Sequence, residues 1–116
     1  MKNLPKPLLL IIVLLAVTVT ALITYGLNSR RVTKTDIDTA VNQAKYLYQM
    51  RKSQEEDFSQ GPCLSNALMT DWVADLVHNP REEADNLPHN QCPAYLEGRA
   101  HHFVELDLEG NLIRAR

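Results

Sequence analysis

The sequence predicts a single-pass transmembrane helix followed by a small α+β domain. Three observations carry that expectation. Leu8 to Leu27 is a run of twenty residues without a charge, two later stretches repeat apolar side chains at spacings of three and four, and after Gly98 the repeat shortens to two. The chain divides accordingly into a short basic N-terminus (1–7), the membrane helix (8–28), a juxtamembrane amphipathic helix (29–60) and a small disulfide-stapled α+β domain (61–116).

Twenty helical residues at about 1.5 Å each reach about 30 Å, the thickness of a bilayer's hydrocarbon core. Only Thr18, Thr20, Thr24 and Tyr25 interrupt the run with polar side chains. Lys2 and Lys6 form a basic n-region, and Val19 and Ala21 are small enough for a signal-peptidase cut. Leu22 and Ile23 nevertheless continue the apolar run past the usual h-region length, so an uncleaved signal anchor is expected. Lys2 and Lys6 on one side face Arg30, Arg31 and Lys34 on the other, diluted by Asp36 and Asp38, and the positive-inside rule hardly chooses. A cytoplasmic N-terminus with the C-terminal domain outside the cell membrane is the simpler topology.

Gly26-Leu27-Asn28-Ser29 is a small-residue interruption where the first helix ends or bends. Thr35 is then the candidate N-cap of a helix running to about Glu56, with Asp36 and Asp38 favourable to its dipole. Ile37, Ala40, Val41, Ala44, Leu47 and Tyr48 make its apolar stripe. Three placements are open for it: against the domain core, paired with another helix as a stalk, or on the lipid surface. Gly61-Pro62 closes the segment.

Ser65 or Asn66 can cap a second helix, around Trp72, with Leu68, Met69, Trp72, Val73, Leu76 and Val77 on one face. Trp72 is expected at the centre of the core. Asn79-Pro80-Arg81-Glu82 fits the start of a short third helix, with Asn79 as cap and Pro80 at the first helical position. Asn86-Leu87-Pro88 ends it, and Pro88 to Pro93 reads as loop. His102, Val104, Leu106 and Leu108 then alternate with His101, Phe103, Glu105 and Asp107 as a strand. Glu109-Gly110-Asn111 turns the chain and Leu112 to Ala115 returns, a C-terminal β-hairpin laid on the Trp72 helix. The expected core and contact residues are Trp72, Leu68, Leu76, Phe103, Val104 and Leu106.

Cys63 and Cys92 are the only cysteines. An even count in a small domain behind an export segment points to a disulfide. The rival is a metal-binding or redox module in which Cys63, His89, Cys92, His101 and His102 assemble a zinc set, although their spacing fits no standard finger. A Cys–His nucleophile pair would need a reduced cysteine beside a histidine. The sequence has no phosphate-cradling glycine loop, no paired metal carboxylates and no Gly-x-Ser-x-Gly elbow, so no catalytic residue is expected.

Charge divides sharply: residues 1–54 carry eight Lys/Arg against Asp36 and Asp38, net +6, and residues 55–116 carry Arg81, Arg99, Arg114 and Arg116 against twelve carboxylates, net −8. An acidic distal half argues against nucleic acid as its ligand and suits contact with a protein. The layout of an apolar segment, an amphipathic helix and a two-cysteine C-terminal part is similar to that of type IV pilins. The chain departs from that family in having no glycine before the apolar run and no acidic residue within it. The expected function is therefore that of a membrane-anchored extracytoplasmic accessory subunit. It would hold membrane lipid through 8–28 and meet a protein partner, with no cofactor, no evident small-molecule substrate and no catalysis.

Overall fold

The computed structural model describes residues 3–28 and 31–116. Lys2, Ser29 and Arg30, used above in the charge and boundary arguments, lie outside the described residues. Two compact units are present, 1–31 and 32–116.

The first unit is one helix, α1 (Lys6–Asn28), which runs past Gly26 and ends at Asn28, within the stretch where the sequence suggested an end or bend. Pro7 falls in its first turn, where the missing N–H has no intrahelical partner to lose. The hydroxyls of Thr18, Thr20 and Thr24 donate to the carbonyls of Leu15, Ala16 and Thr20 at 2.9, 2.7 and 2.8 Å, so these polar groups are satisfied within the helix. Lys6–Gly26 is long and apolar enough to cross a membrane.

The second unit is α+β. Helix α2 (Lys34–Ser53) starts two residues before the expected cap: Thr33 is the N-cap, and its hydroxyl and backbone N–H exchange hydrogen bonds with Asp36 in a capping box. Of its three possible placements the structure has the first. Ala40, Ala44 and Tyr48 are fully buried against one face of a four-stranded sheet, so α2 belongs to the domain.

The sheet is built from β1 (Cys63–Met69), β2 (Trp72–Leu76), β3 (His102–Leu106) and β4 (Leu112–Ala115), side by side in that order. The expected helix around Trp72 is not formed. Its residues make β1 and β2, an antiparallel pair that reverses at Thr70-Asp71, with Asp71 at φ 70°. The physical reason lies in β2, which is covered on both faces. Trp72, Val73, Ala74 and Leu76 are all buried, and such an uninterrupted apolar run has the same local pattern as a buried helix.

A second correction concerns Asn79-Pro80. This peptide is cis, and no helix starts there. The first turn of 3-10 helix is Glu83–Asn86, preceded by Glu82, whose backbone N–H donates to Asp85. A second 3-10 turn (Pro88–Asn90) takes up part of the expected loop, and a four-residue helix, α3 (Pro93–Leu96), follows it.

The C-terminal hairpin is present, with β3 antiparallel to β4. It does not lie on a helix formed by Trp72, however. Its β3 strand pairs in parallel with β2, residue for residue from Trp72↔His102 to Leu76↔Leu106. Residues 77–101 are the crossover that parallel pairing requires, and they cover the sheet face opposite α2. Strand β3 is thus central and buried on both sides. Val104 and Leu106 face α2, while Phe103 and Glu105 face the crossover.

Candidate functional site

Parallel in-register pairing decides which side chains meet on the crossover face. Val73 stands beside Phe103 and Asp75 beside Glu105. Arg114 of β4 is the partner of Glu105, and Arg116 exchanges both backbone hydrogen bonds with Phe103 at 2.9 and 3.1 Å. Alternation along strands puts all six on one side of the sheet. The crossover adds Arg81, Gln91 and Tyr95, and the result is a half-open cavity of about 140 Å³ with Val73, Cys92 and Phe103 also in its wall.

Glu105 is the hub of its polar side. Arg114 grips it with a fork, Nε to Oε2 at 2.8 Å and Nη2 to Oε1 at 3.1 Å, and Arg81 Nη1 reaches Oε1 at 3.4 Å. The fork and the charge of Glu105 push the Arg114 guanidinium above its ordinary value. Arg114 and Arg116 also lie over the Phe103 ring, at 5.1 and 5.4 Å, and Tyr95 meets the same ring edge-on at 5.2 Å. Asp75 is compensated only in part, by the Leu76 backbone and the Arg81 charge. Its Oδ1 is buried without a hydrogen-bond partner, and burial together with the neighbouring Glu105 charge raises its carboxyl to about 7.

A second cluster fastens the crossover. The buried Asp85 carboxylate accepts from the backbone N–H of His78 and Glu82, and its Oδ1 lies 2.8 Å from His78 Nδ1. His78 Nε2 faces the Ser59 carbonyl at 2.9 Å. Both ring nitrogens therefore point at acceptors, an arrangement that only the imidazolium satisfies. The Asp85 hydrogen bond, with that of Ser59 and the Asp85 and Glu82 charges, raises His78 above its ordinary range. Although burial works against it, Asp85 is held low by the hydrogen bonds from Glu82 and His78. With both nitrogens engaged, His78 is a fastening and not a free base.

The residues singled out from the sequence separate into two sheet faces. Trp72, Leu76, Val104 and Leu106 are in the core under α2, with Leu68 half-buried against it, and Phe103 is on the cavity side. Cys63 and Cys92 are joined in a disulfide. That bond removes both sulfurs from the alternative zinc set. Among the described residues no three His, Cys, Asp or Glu side chains come together as a ligand group. His101 and His102 share Asp71 instead, at 2.6 and 3.4 Å, and His102 packs its ring 5.0 Å from Trp72, while His89 is exposed. Asp71 is held below its ordinary value against its desolvation, by the His101 hydrogen bonds and both histidine charges.

Comparison with protein-family models, with curated proteins and with solved structures gives no match. Sequence reasoning missed Asp75, Glu105, Arg81 and Arg114 as a group because a helix at Trp72 never places Asp75 beside Glu105. One available sign was the lone carboxylate within Trp72-Val73-Ala74-Asp75-Leu76-Val77, an ionisable group inside the most apolar run of the distal half.

Proposed function

We propose that this chain is a single-pass membrane protein whose disulfide-bonded α+β domain stands outside the cytoplasm and acts by contact with another protein, as an accessory subunit without catalysis. The observation that carries the reading is the pairing of two features. One is α1, apolar over a membrane-spanning length; the other is a following domain whose two cysteines are oxidised. Disulfides persist in oxidising compartments, which favours an external domain over a cytoplasmic one.

Contact rather than chemistry is supported by how the candidate chemical groups are used. Both cysteines are in the disulfide, His78 has both nitrogens engaged, and Glu105 is held by two arginines. The domain also exposes large apolar side chains that its own core does not use, among them Tyr46 on α2 and Leu112 on β4. Chemical cross-linking in intact cells, followed by purification in mild detergent, tests the reading. A stoichiometric membrane-protein partner is the expected result. Extraction of the chain by alkaline carbonate as a monomer, with no cross-linked species, would count against both anchoring and partnership.

A further inference from the structure

We propose that the cavity between the crossover and the sheet is a binding site for one carboxylate group on a short aliphatic stem, held by Arg81 and Arg116 beside the Arg114–Glu105 pair. Three observations converge on it. The first is where the cations are. Residues 55–116 carry four arginines, no lysine and twelve carboxylates, and three of those arginines, Arg81, Arg114 and Arg116, line this single cavity. Only Glu105 answers them there with an ion pair, reached by Arg114 and Arg81; Arg81 also donates from Nε to Asn86 Oδ1 at 3.1 Å and more loosely from Nη2 to the Asp85 carbonyl at 3.5 Å, whereas Arg116 makes no salt bridge among the described residues.

The second observation is that the polar network is not closed. A self-contained structural salt-bridge cluster satisfies its own members, but Asp75 Oδ1 is buried here with no partner next to Glu105, and in its neutral form this carboxyl has a proton to donate to an entering acceptor. The third is size and wall chemistry. The space of about 140 Å³ admits only a few heavy atoms, and Val73, Phe103 and Cys92 give it an apolar floor. A planar carboxylate suits guanidinium forks, and a short stem suits that floor.

Charge decides between an anion and a cation. Asp75 faces Glu105 from β3 and Arg81 and Asp85 from the crossover, with Arg114 and Arg116 of β4 in the same cavity. With its carboxyl near 7, Asp75 is largely neutral below that value, leaving three arginines against the single charge of Glu105. An entering carboxylate then meets a positive excess inside a domain that is otherwise acidic. The same carboxylate can come from a free small acid or from a glutamate side chain of another protein. Propionate and that side chain have the same reacting end.

The test uses the full chain in detergent micelles with Arg side-chain Nε–Hε resonances as the readout. Four probes are titrated: propionate, a capped Ala-Glu-Ala peptide, inorganic phosphate and propylammonium. Saturable shifts of Arg81 and Arg116 with propionate or the peptide are expected, weakened about tenfold or more by Arg81→Gln or Arg116→Gln and strengthened as pH falls below 7. Propionate alone would indicate a free acid, and tighter binding of the peptide a protein side chain. Asp75→Asn should keep the binding and abolish its pH dependence, while an unchanged melting temperature in Arg116→Gln separates lost binding from lost folding. Saturation by propylammonium, equal response to phosphate, or no shift with either carboxylate probe would overturn the proposal.

Discussion

Asp75 and His78, three residues apart, both make the domain lose stability as pH rises, in successive windows and for different reasons. Asp75 is raised to about 7 from 3.8, so the folded chain holds a proton there that the unfolded chain releases. Stability therefore falls as pH climbs from about 4 to about 7, at up to about 1.4 kcal/mol per pH unit, and this term is flat above that window. Asp75→Asn should remove the slope and leave the variant more stable than the parent at pH 8, measured by urea unfolding across pH. His78 is raised from 6.5 by Asp85, so its contribution is fully present below 6.5 and is lost as pH rises through the higher folded value. The lowered Asp85 loses its own contribution only as pH falls through a value below 3.8. His78→Gln should abolish the alkaline loss while leaving the slope between about 4 and 7 intact. Equal effects of the two variants in both windows would contradict the assignment. Neither role was legible from residue type: Asp75 and His78 acquire them from Glu105 and Asp85, neighbours supplied by parallel pairing and by the crossover.

At the scale of elements, the hairpin and α2 hold each other through one close approach. Tyr48 is fully buried, donates from its hydroxyl to the Leu108 carbonyl at 2.8 Å and stacks on Phe58 with centroids 5.3 Å apart. Gly110, at φ +88°, sits so close that an added Cβ would come 2.4 Å from the Tyr48 ring. Gly110→Ala combines an unfavourable backbone conformation with overpacking and should cost roughly 2–4 kcal/mol by chemical unfolding. Tyr48→Phe should lose only about 1 kcal/mol, since it removes the hydrogen bond and keeps the ring. A Gly110→Ala variant as stable as the parent would contradict the docking of the hairpin on α2. Helix α2 was legible because it has one solvent face, which keeps the stripe from Ile37 to Tyr48, and β3 kept its period of two although buried on both sides because Glu105 and Asp107 alternate there with Val104, Leu106 and Leu108, their charges met by Arg114 and by the Asn111 turn. Strand β2 was not, because cover on both faces erases alternation, and Leu68 to Leu76 then imitates a helix across the Thr70-Asp71 reversal. Asn79-Pro80 misled for a different reason, since a residue pair suited to a helix start is equally suited to a cis turn.

For the whole molecule, the membrane-length helix was the most legible feature, because a bilayer's thickness demands a long uninterrupted run that nothing else in the chain resembles. The disulfide was legible from cysteine parity and domain size. It closes 29 residues of sequence separation and, on the chain-entropy account, contributes roughly 3–4 kcal/mol. A Cys63→Ser, Cys92→Ser double variant should lose about that much on urea unfolding of the full chain in micelles, a large fraction for a domain of this size. The cavity was illegible because its walls come from β2, β3, β4 and the crossover, which only the sheet order brings together. An anchored chain with its domain outside the cytoplasm is the central claim, and the state of the cysteines in native membranes tests it most directly. Membranes are solubilised in denaturant with an alkylating reagent and no reductant, and the intact chain is weighed. The account predicts an unmodified chain lighter than the reduced sequence by one pair of hydrogens. Two alkylated thiols on a membrane-embedded chain would contradict it and place the domain on the reducing side.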